Sequence, residues 1–447
     1  MMDAGKSLQI TLRQLLAQSP ELTAAQLQSA TGMSQPSISL ALKAMGLGQS
    51  AGGVARLGAA RSTRYALTKN IQGLPARHSL LCDGADGVPR HFGELTYLSG
   101  NRVHVRSGKQ EWLSHAALPW FLTPLQPQGF LGRQLARLRP DFPADPERWS
   151  LEQVLYFTVN HVREASGAFA IEGPAGVAHV AVCDVAQSLA QTFDRLAAQV
   201  GTSLPAGSSA GGEQPKFLWR EPDGLRWLVK FSPPRGTPFG ERWHALLHLE
   251  KLALDVLREN GMTSAETRIV ESATRTFLLS RRFDRTAEFG YRHLVAASAV
   301  HEHFVQTPRQ HWVGTCRALH DMNLLPSGDL STATQAYVFG QFIGNTDMHF
   351  GNLSFFVQDV MRPRFELAPI YDMLPMMWRP SIHSGSLDAE PLRAPHALAV
   401  DPALTDAARD WAVAYWERAA AMRTLGQSMQ TVCALNAQRL KSRFAGL

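Results

Sequence analysis

Residues 345–372 limit what this chain can fold into more tightly than any other stretch. Asn345-Thr346-Asp347-Met348-His349-Phe350-Gly351-Asn352 is followed by the apolar run Leu353 to Val357 and a turn over Gln358 to Pro363. A second run, Arg364 to Leu367, leads into Ala368-Pro369-Ile370-Tyr371-Asp372. Two short strands joined by a turn double back, so Asp372 is expected to return beside Asn352. The pattern therefore gathers Asp347, Asn352 and Asp372. One carboxylate can accept a hydroxyl proton, while an amide oxygen and a second carboxylate suit magnesium, a cation that takes oxygen donors.

Asp347 and Asn352 have the D-x-x-x-x-N spacing of kinase catalytic loops, in which the Asp takes the acceptor's proton and the Asn holds Mg2+. Taken alone, the spacing also fits an Asp turn with a capped loop. Upstream, Ser208-Ser209-Ala210-Gly211-Gly212-Glu213-Gln214-Pro215-Lys216 is a loop of small residues ahead of an apolar strand. Gly211 and Gly212 would let backbone amides approach phosphates closely, although a Gly-Gly pair also makes an ordinary hairpin turn. Trp227-Leu228-Val229-Lys230-Phe231 then sets an ammonium among apolar neighbours. A buried lysine needs anions, and Glu250 on the following helix together with nucleotide phosphates would supply them. The alternative is a strand-edge lysine with its head in solvent.

A chain of 447 residues with 45% apolar and 9% aromatic residues has material for two or three domains. It has no run of eighteen apolar residues and no signal-like N-terminus, so a soluble protein is expected, with no membrane partner. Cys82, Cys183, Cys316 and Cys433 are scattered without a CxxC pair, which fits a reducing cytoplasm. His293, His301, His303 and His349 make no zinc pattern. The net charge of +6 is concentrated in the first 70 residues, where Lys6, Arg13, Lys43, Arg56, Arg61, Arg64 and Lys69 face only Asp3 and Glu21. Such a module suits a polyanion. Leu8, Leu12, Leu15 and Leu16 mark a first helix that ends at Ser19-Pro20. Thr23 caps a second over Ala24 to Ala30, and Ser34 caps a third through Leu42 or Met45. Val54 to Leu57 and Arg64 to Leu67 form a hairpin with a basic tip. In this winged helix-turn-helix reading Gln35, Ser37 and Lys43 reach duplex DNA, and Arg56, Arg61 and Arg64 contact phosphates. Leu40 is an apolar residue where a groove contact would be polar, and a module that binds protein instead is the alternative.

The run S-x-A-G-x-x-Q-x-K, the Lys230 strand, Arg282-Phe283-Asp284-Arg285, the Asn345 to Asn352 loop and the Asp372 segment together resemble the HipA family of serine/threonine protein kinases, over roughly residues 75 to 447. The attached N-terminal module resembles the YjjJ-type members, which act as stand-alone toxin-like kinases. The resemblance implies an α+β fold: a winged helix-turn-helix (1–70), a small β-rich subdomain (71–150), and a bilobal kinase-like body with an N-lobe (151–285) and a mostly helical C-lobe (286–447). It implies ATP and Mg2+ as cofactors. Asp347 is then the catalytic base, Asn352 and Asp372 are the metal ligands, and Lys230 is the phosphate-contacting lysine. Gly211, Gly212, Gln214, Lys216, Arg281, Phe283, His349 and Asn352 join Lys230 in binding ATP, with Arg281 to Phe283 as the adenine hinge. Ser209 is the autophosphorylated, inactivating serine. The implied substrate is a translation protein such as an aminoacyl-tRNA synthetase, and a homodimer is a possible state. Two other readings stay open, a transcription regulator with a nucleotide-sensing body and a small-molecule phosphotransferase.

Overall fold

The computed structural model describes residues 2–47, 53–161, 164–173, 181–182, 188–202, 214–286, 290–380, 392 and 401–443. The chain forms two compact units, Met1–Ala178 and His179–Leu447.

The first unit opens with α1 (Met2–Gln18), β1 (Leu22–Thr23), α2 (Ala24–Thr31), α3 (Gln35–Ala44), β2 (Val54–Leu57) and β3 (Arg64–Leu67). Local chemistry sets the boundaries of its helices. Thr23 and Gln26 form a capping box, with Gln26 N–H donating to Thr23 Oγ1 at 3.2 Å and Thr23 N–H to Gln26 Oε1 at 2.8 Å. Gly32 ends α2 in the left-handed conformation at φ +65°. Ser34 caps α3. The helices close over Leu12, Leu16, Leu27, Ile38, Leu42 and Val54, and the strands form an antiparallel sheet in the order β1-β3-β2.

A second sheet follows, built from β4 (Arg77–Asp83), β5 (Pro89–Leu98), β6 (Arg102–Ser107) and β7 (Gln110–His115). Next come α4 (Gly129–Ala136), α5 (Leu151–His161) and β8 (Phe169–Ile171), giving the strand order β7-β6-β5-β4-β8. The boundary expected at residue 150 thus lies too early for this architecture. Phe169–Ile171 pairs with β4, and the unit runs to Ala178. Arg102 ties the two sheets together from a buried position. Its guanidinium donates to the Pro20 and Ser99 carbonyls and pairs with Glu21, which also pairs with Arg64.

The second unit has a five-stranded sheet of β9 (Ala181–Val182), β10 (Lys216–Arg220), β11 (Arg226–Phe231), β12 (Thr267–Glu271) and β13 (Thr276–Arg281), ordered β12-β13-β11-β10-β9. One face carries Phe217, Trp219, Trp227, Val229, Phe231, Phe277 and Leu279 against Phe193 and Ala197 of α6 (Leu189–Thr202). Strand alternation turns Lys216, Lys230, Thr276 and Leu278 to the opposite face. There lies α7 (Pro238–Glu259), a largely buried 22-residue helix capped by Thr237, whose side chain accepts from Gly240 N–H.

The remainder is mostly helical. It comprises β14 (Leu294–Ala296), α8 (Ala297–Val300), α9 (Trp312–Asp321), α10 (Ser327–Phe342), β15 (Ser354–Val357), β16 (Phe365–Leu367), α11 (Pro402–Ala421) and α12 (Gln427–Arg443), with β14-β15-β16 forming a small antiparallel sheet. No helix among the described residues is long and apolar enough to cross a membrane.

Candidate active site

The loop between α10 and β15 begins at Gly344, whose φ of +73° and close approach to the Trp378 ring both favour glycine. Asn345 is buried beneath the loop. Its Oδ1 accepts from the Asp347 N–H at 3.0 Å, and its amide donates to the Asp372 carbonyl at 3.4 Å, so one side chain holds both segments of the expected trio. Asp347 itself is exposed. Asn352 is buried and donates its side-chain amide to the Asp347 carbonyl at 2.8 Å. With that nitrogen committed, the amide oxygen is the atom that can face a cation.

β15 and β16 make the expected hairpin, Phe355 opposite Leu367 and Val357 opposite Phe365. Tyr371 then bonds to Ser354 Oγ and to the Gly351 carbonyl, each at 2.7 Å, which pins the start of the Asp372 segment to the end of the loop. Asp372 has a left-handed backbone, φ +52°. Such a conformation costs a non-glycine residue energy and persists where its surroundings hold it, commonly at functional sites.

Lys230 stands between two carboxylates. Its ammonium lies 2.5 Å from Glu250 Oε1, on α7, and 2.6 Å from Asp372 Oδ1. The buried reading of this lysine therefore holds over the strand-edge alternative. Burial would lower its pKa, yet the two carboxylates hold it above the ordinary lysine value. The two acids diverge because Glu250 lies deeper, with a side chain 1% exposed against 27% for Asp372. Burial, reinforced by the Asp372 charge, pushes Glu250 up in spite of Lys230. Burial also opposes ionisation of Asp372, but the Lys230 and Lys216 charges outweigh it and hold that carboxyl below the usual aspartate value. Lys216 is opposite Lys230 in the β10–β11 register.

The remaining predicted residues are placed as follows. Gln214 is buried, and its Nε2 finds no hydrogen-bond partner among the described residues. Ser209, Gly211 and Gly212 lie outside the described residues. His349 is exposed. Its Nδ1 accepts from Gly351 N–H at 2.9 Å, and its carbonyl accepts from Trp312 Nε1–H at 3.0 Å. Arg281 ends β13 and pairs with Glu266 at 2.8 Å. Phe283 packs on Phe356 and Tyr371, with ring centroids 6.0 and 5.7 Å away. Its neighbour Asp284 is buried between Arg282 and Arg285, at 2.8 and 2.7 Å, so that acidic position serves an ion-pair network. Cys316 is buried, and burial pushes its thiol up to about 12, which fits a packed cysteine.

In the N-terminal module Gln35 and Lys43 are exposed on α3, while Ser37 is half-buried with its hydroxyl 2.9 Å from the capping Ser34. Arg56 and Arg61 are exposed near the hairpin tip, whereas Arg64 pairs with Glu21. Leu40 is 71% exposed on α3.

The sequence pattern assigns no role to Asn345 or Trp312. Asn345 was visible as part of the loop. Trp312 had no signal, since it meets its partner 37 residues away.

The amide oxygen of Asn352 and the carboxylate of Asp372 are the hard oxygen donors that Mg2+ takes. Across Lys230 from Asp372, Glu250 Oε2 is buried with no hydrogen-bond partner among the described residues. The donor set fits Mg2+.

Residues 208–442 match the HipA-like C-terminal domain, and residues 76–178 match the middle domain of the YjjJ-like toxins. Toxin YjjJ of Escherichia coli (strain K12) is 34% identical over 343 residues, 73% of this chain and 76% of that protein. Among solved structures, a complex of the Shewanella oneidensis MR-1 toxin–antitoxin system HipA, HipB and its operator DNA aligns with a TM-score of 0.50 at 14% identity. The alignment covers 81% of this chain and 96% of the matched chain. The Helicobacter pylori proinflammatory kinase CtkA aligns with a TM-score of 0.36 at 13% identity, over 52% and 92% of the two chains.

Proposed function

This chain belongs to the HipA-like family, with the middle domain of the YjjJ-like toxins, and on that premise we propose that it is an ATP- and Mg2+-dependent serine/threonine protein kinase. The observation that carries this reading is the Lys230 ammonium held between Glu250 and Asp372, at 2.5 and 2.6 Å. A lysine pinned by a helix glutamate, beside an aspartate that follows a D-x-x-x-x-N loop, is the arrangement that protein kinases use for phosphoryl transfer. A regulator that only sensed a ligand would not need the proton acceptor and the cation ligands together.

In this reading Asp347, exposed at the loop's surface, takes the proton from the acceptor hydroxyl. Asn352 and Asp372 would hold Mg2+, which when bound neutralises phosphate charge. Lys230, aimed by Glu250, meets the nucleotide phosphates, with Lys216 and Gln214 on the neighbouring strand and loop end. Gly211 and Gly212 cover the phosphates, and Arg281 to Phe283 meet adenine. Ser209 takes the self-inactivating phosphate, because about 1.5 to 2 added negative charges there oppose the anionic nucleotide. The acceptor is a protein of the translation apparatus. The solved HipA relative was captured with HipB and operator DNA; here residues 1–70 would supply DNA binding within the chain itself.

The test is incubation of the full chain with γ-labelled ATP, Mg2+ and a cell lysate. Label on the chain and on a discrete protein, absent with Asp347→Asn, is the expected result. Label on small molecules alone would replace this reading with the phosphotransferase one.

A further inference from the structure

The face of α7 that meets the β12–β13 hairpin carries a second cluster of ligand-type side chains. His244 and His248, one helical turn apart and both buried, have ring centroids 4.8 Å from each other. Glu271, the last residue of β12, brings its Oε1 to 2.9 Å from His248 Nε2. The three side chains offer ligand atoms that all lie within 4.8 Å of one another.

The hydrogen bonds of His244 fix its orientation. Its Nε2 faces the Thr424 carbonyl at 2.9 Å, and a carbonyl can only accept, so Nε2 carries the hydrogen. Nδ1 then faces the Thr276 hydroxyl with its lone pair. Thr276 stands opposite Glu271 in the β12–β13 register, so their side chains share the sheet face beneath α7. The lone pair of His244 is therefore on the side of Glu271. A ligand histidine whose other nitrogen donates to a backbone carbonyl is the supporting pattern found around bound metals.

We propose that His244 Nδ1, His248 Nε2 and the Glu271 carboxylate form a Zn2+ site. Two imidazoles and one carboxylate are a donor set that zinc takes, with a fourth position left for water or the Thr276 hydroxyl. Magnesium prefers oxygen ligands, so this site and the Asn352–Asp372 pair select different ions. Binding moves the His248 proton from Nε2 to Nδ1, freeing Nε2 and the Glu271 carboxylate for the ion, and the Thr276 hydroxyl turns its hydrogen away from His244 Nδ1. Glu271 is exposed, which gives the ion a route in. The ion joins α7 to β12 and, through His244, to the turn at Thr424. Glu250 follows His248 by two residues on the same helix, so the site also fixes the helix that aims Glu250 at Lys230.

The experiment uses the full chain, stripped with chelator and titrated with Zn2+ against a chromophoric competitor, in parallel with His248→Asn, Glu271→Gln and Asp347→Asn. Expected is one Zn2+ per wild-type chain, affinity at least about tenfold weaker in the His248 and Glu271 variants, and no change in Asp347→Asn or with millimolar Mg2+. Thermal melting should rise with Zn2+ in wild type and not in Glu271→Gln, an exposed position whose substitution spares the fold. Equal affinity in wild type and both ligand variants, or no binding at micromolar Zn2+, overturns the site. Neither outcome depends on phosphoryl transfer.

Discussion

The side-chain amide of Asn352 donates to the backbone carbonyl of Asp347 at 2.8 Å, tying the far end of the loop to the residue assigned as proton acceptor. Asn345 supports the same residue from the other side, accepting its backbone N–H at 3.0 Å. The loop is therefore held by amides while the Asp347 carboxylate stays exposed to an incoming hydroxyl.

Asp347→Asn should leave the loop's scaffold intact and remove only the proton acceptor. ATP affinity measured by calorimetry is expected to stay within a few-fold of wild type, while phosphoryl transfer falls by roughly 10²–10⁴. Asn352→Asp keeps oxygen donors but loses the amide bond to Asp347, so it should lower transfer as well and shift its Mg2+ dependence. Wild-type autophosphorylation in Asp347→Asn would falsify the assignment.

The buried triad predicts an unequal pair of stability effects. Lys230→Met leaves Glu250 and Asp372 facing each other without their cation, and unfolding in urea should show a loss of about 3–5 kcal/mol. In Lys230→Met/Glu250→Gln the deeper carboxylate is neutral, and much of that loss should be recovered. If the double variant is as unstable as the sum of the singles, the three groups are not coupled as the distances of 2.5 and 2.6 Å imply.

The parts of this site that were legible in the sequence are those whose partners are close along the chain or marked by a pattern. Val54–Leu57 and Arg64–Leu67 have the strand bounds their alternation predicts. The 345–372 hairpin returns Asp372 because its two apolar runs flank a turn. Lys230 and Glu250 could be paired in advance because an apolar strand leaves an ammonium few other choices. Less legible were features fixed by distant packing. Phe169–Ile171 is too short to show a period, and only its pairing with β4 makes it a strand. The start of α7 at Pro238 is set by the Thr237 cap and Pro238 at the first turn, which outweigh the glycine at 240. The third member of the His244–His248 cluster lies on a strand, 23 residues beyond His248.

His104 predicts a pH dependence for the first unit. Burial depresses its pKa below the ordinary histidine value, and that effect outweighs the Glu111 carboxylate at 3.2 Å. The folded chain thus binds this proton less readily than the unfolded chain. The resulting stability is present above the ordinary histidine value of about 6.5 and is lost as pH falls through the depressed folded value. Glu111 also accepts the Gly58 N–H at 2.6 Å, at the β2–β3 hairpin, so the loss should loosen that tip. Urea melts at pH 8, 6 and 5 should show declining stability, and His104→Gln should flatten the decline. An unchanged slope in that variant assigns the pH dependence elsewhere.

If residues 1–70 bind duplex DNA through the hairpin, affinity must fall with salt, because each neutralised phosphate releases condensed counterions and contributes roughly 0.9 to the slope of log K against log salt. The three arginines of that hairpin should not contribute equally. Arg56 and Arg61 are exposed, whereas Arg64 already pairs with Glu21, which in turn pairs with the buried Arg102. Moving Arg64 to a phosphate would cost that network an ion pair. Arg56→Ala/Arg61→Ala should therefore flatten the slope by about 2, while Arg64→Ala changes it by less than one contact's worth. Gel shifts with random duplex over a range of salt read the slopes directly. Binding that is absent even at low salt would turn the exposed Leu40 of α3 from an anomaly into the expected feature of a protein-binding helix. An Arg64 effect as large as that of Arg56 would mean instead that Glu21 releases its partner when DNA arrives.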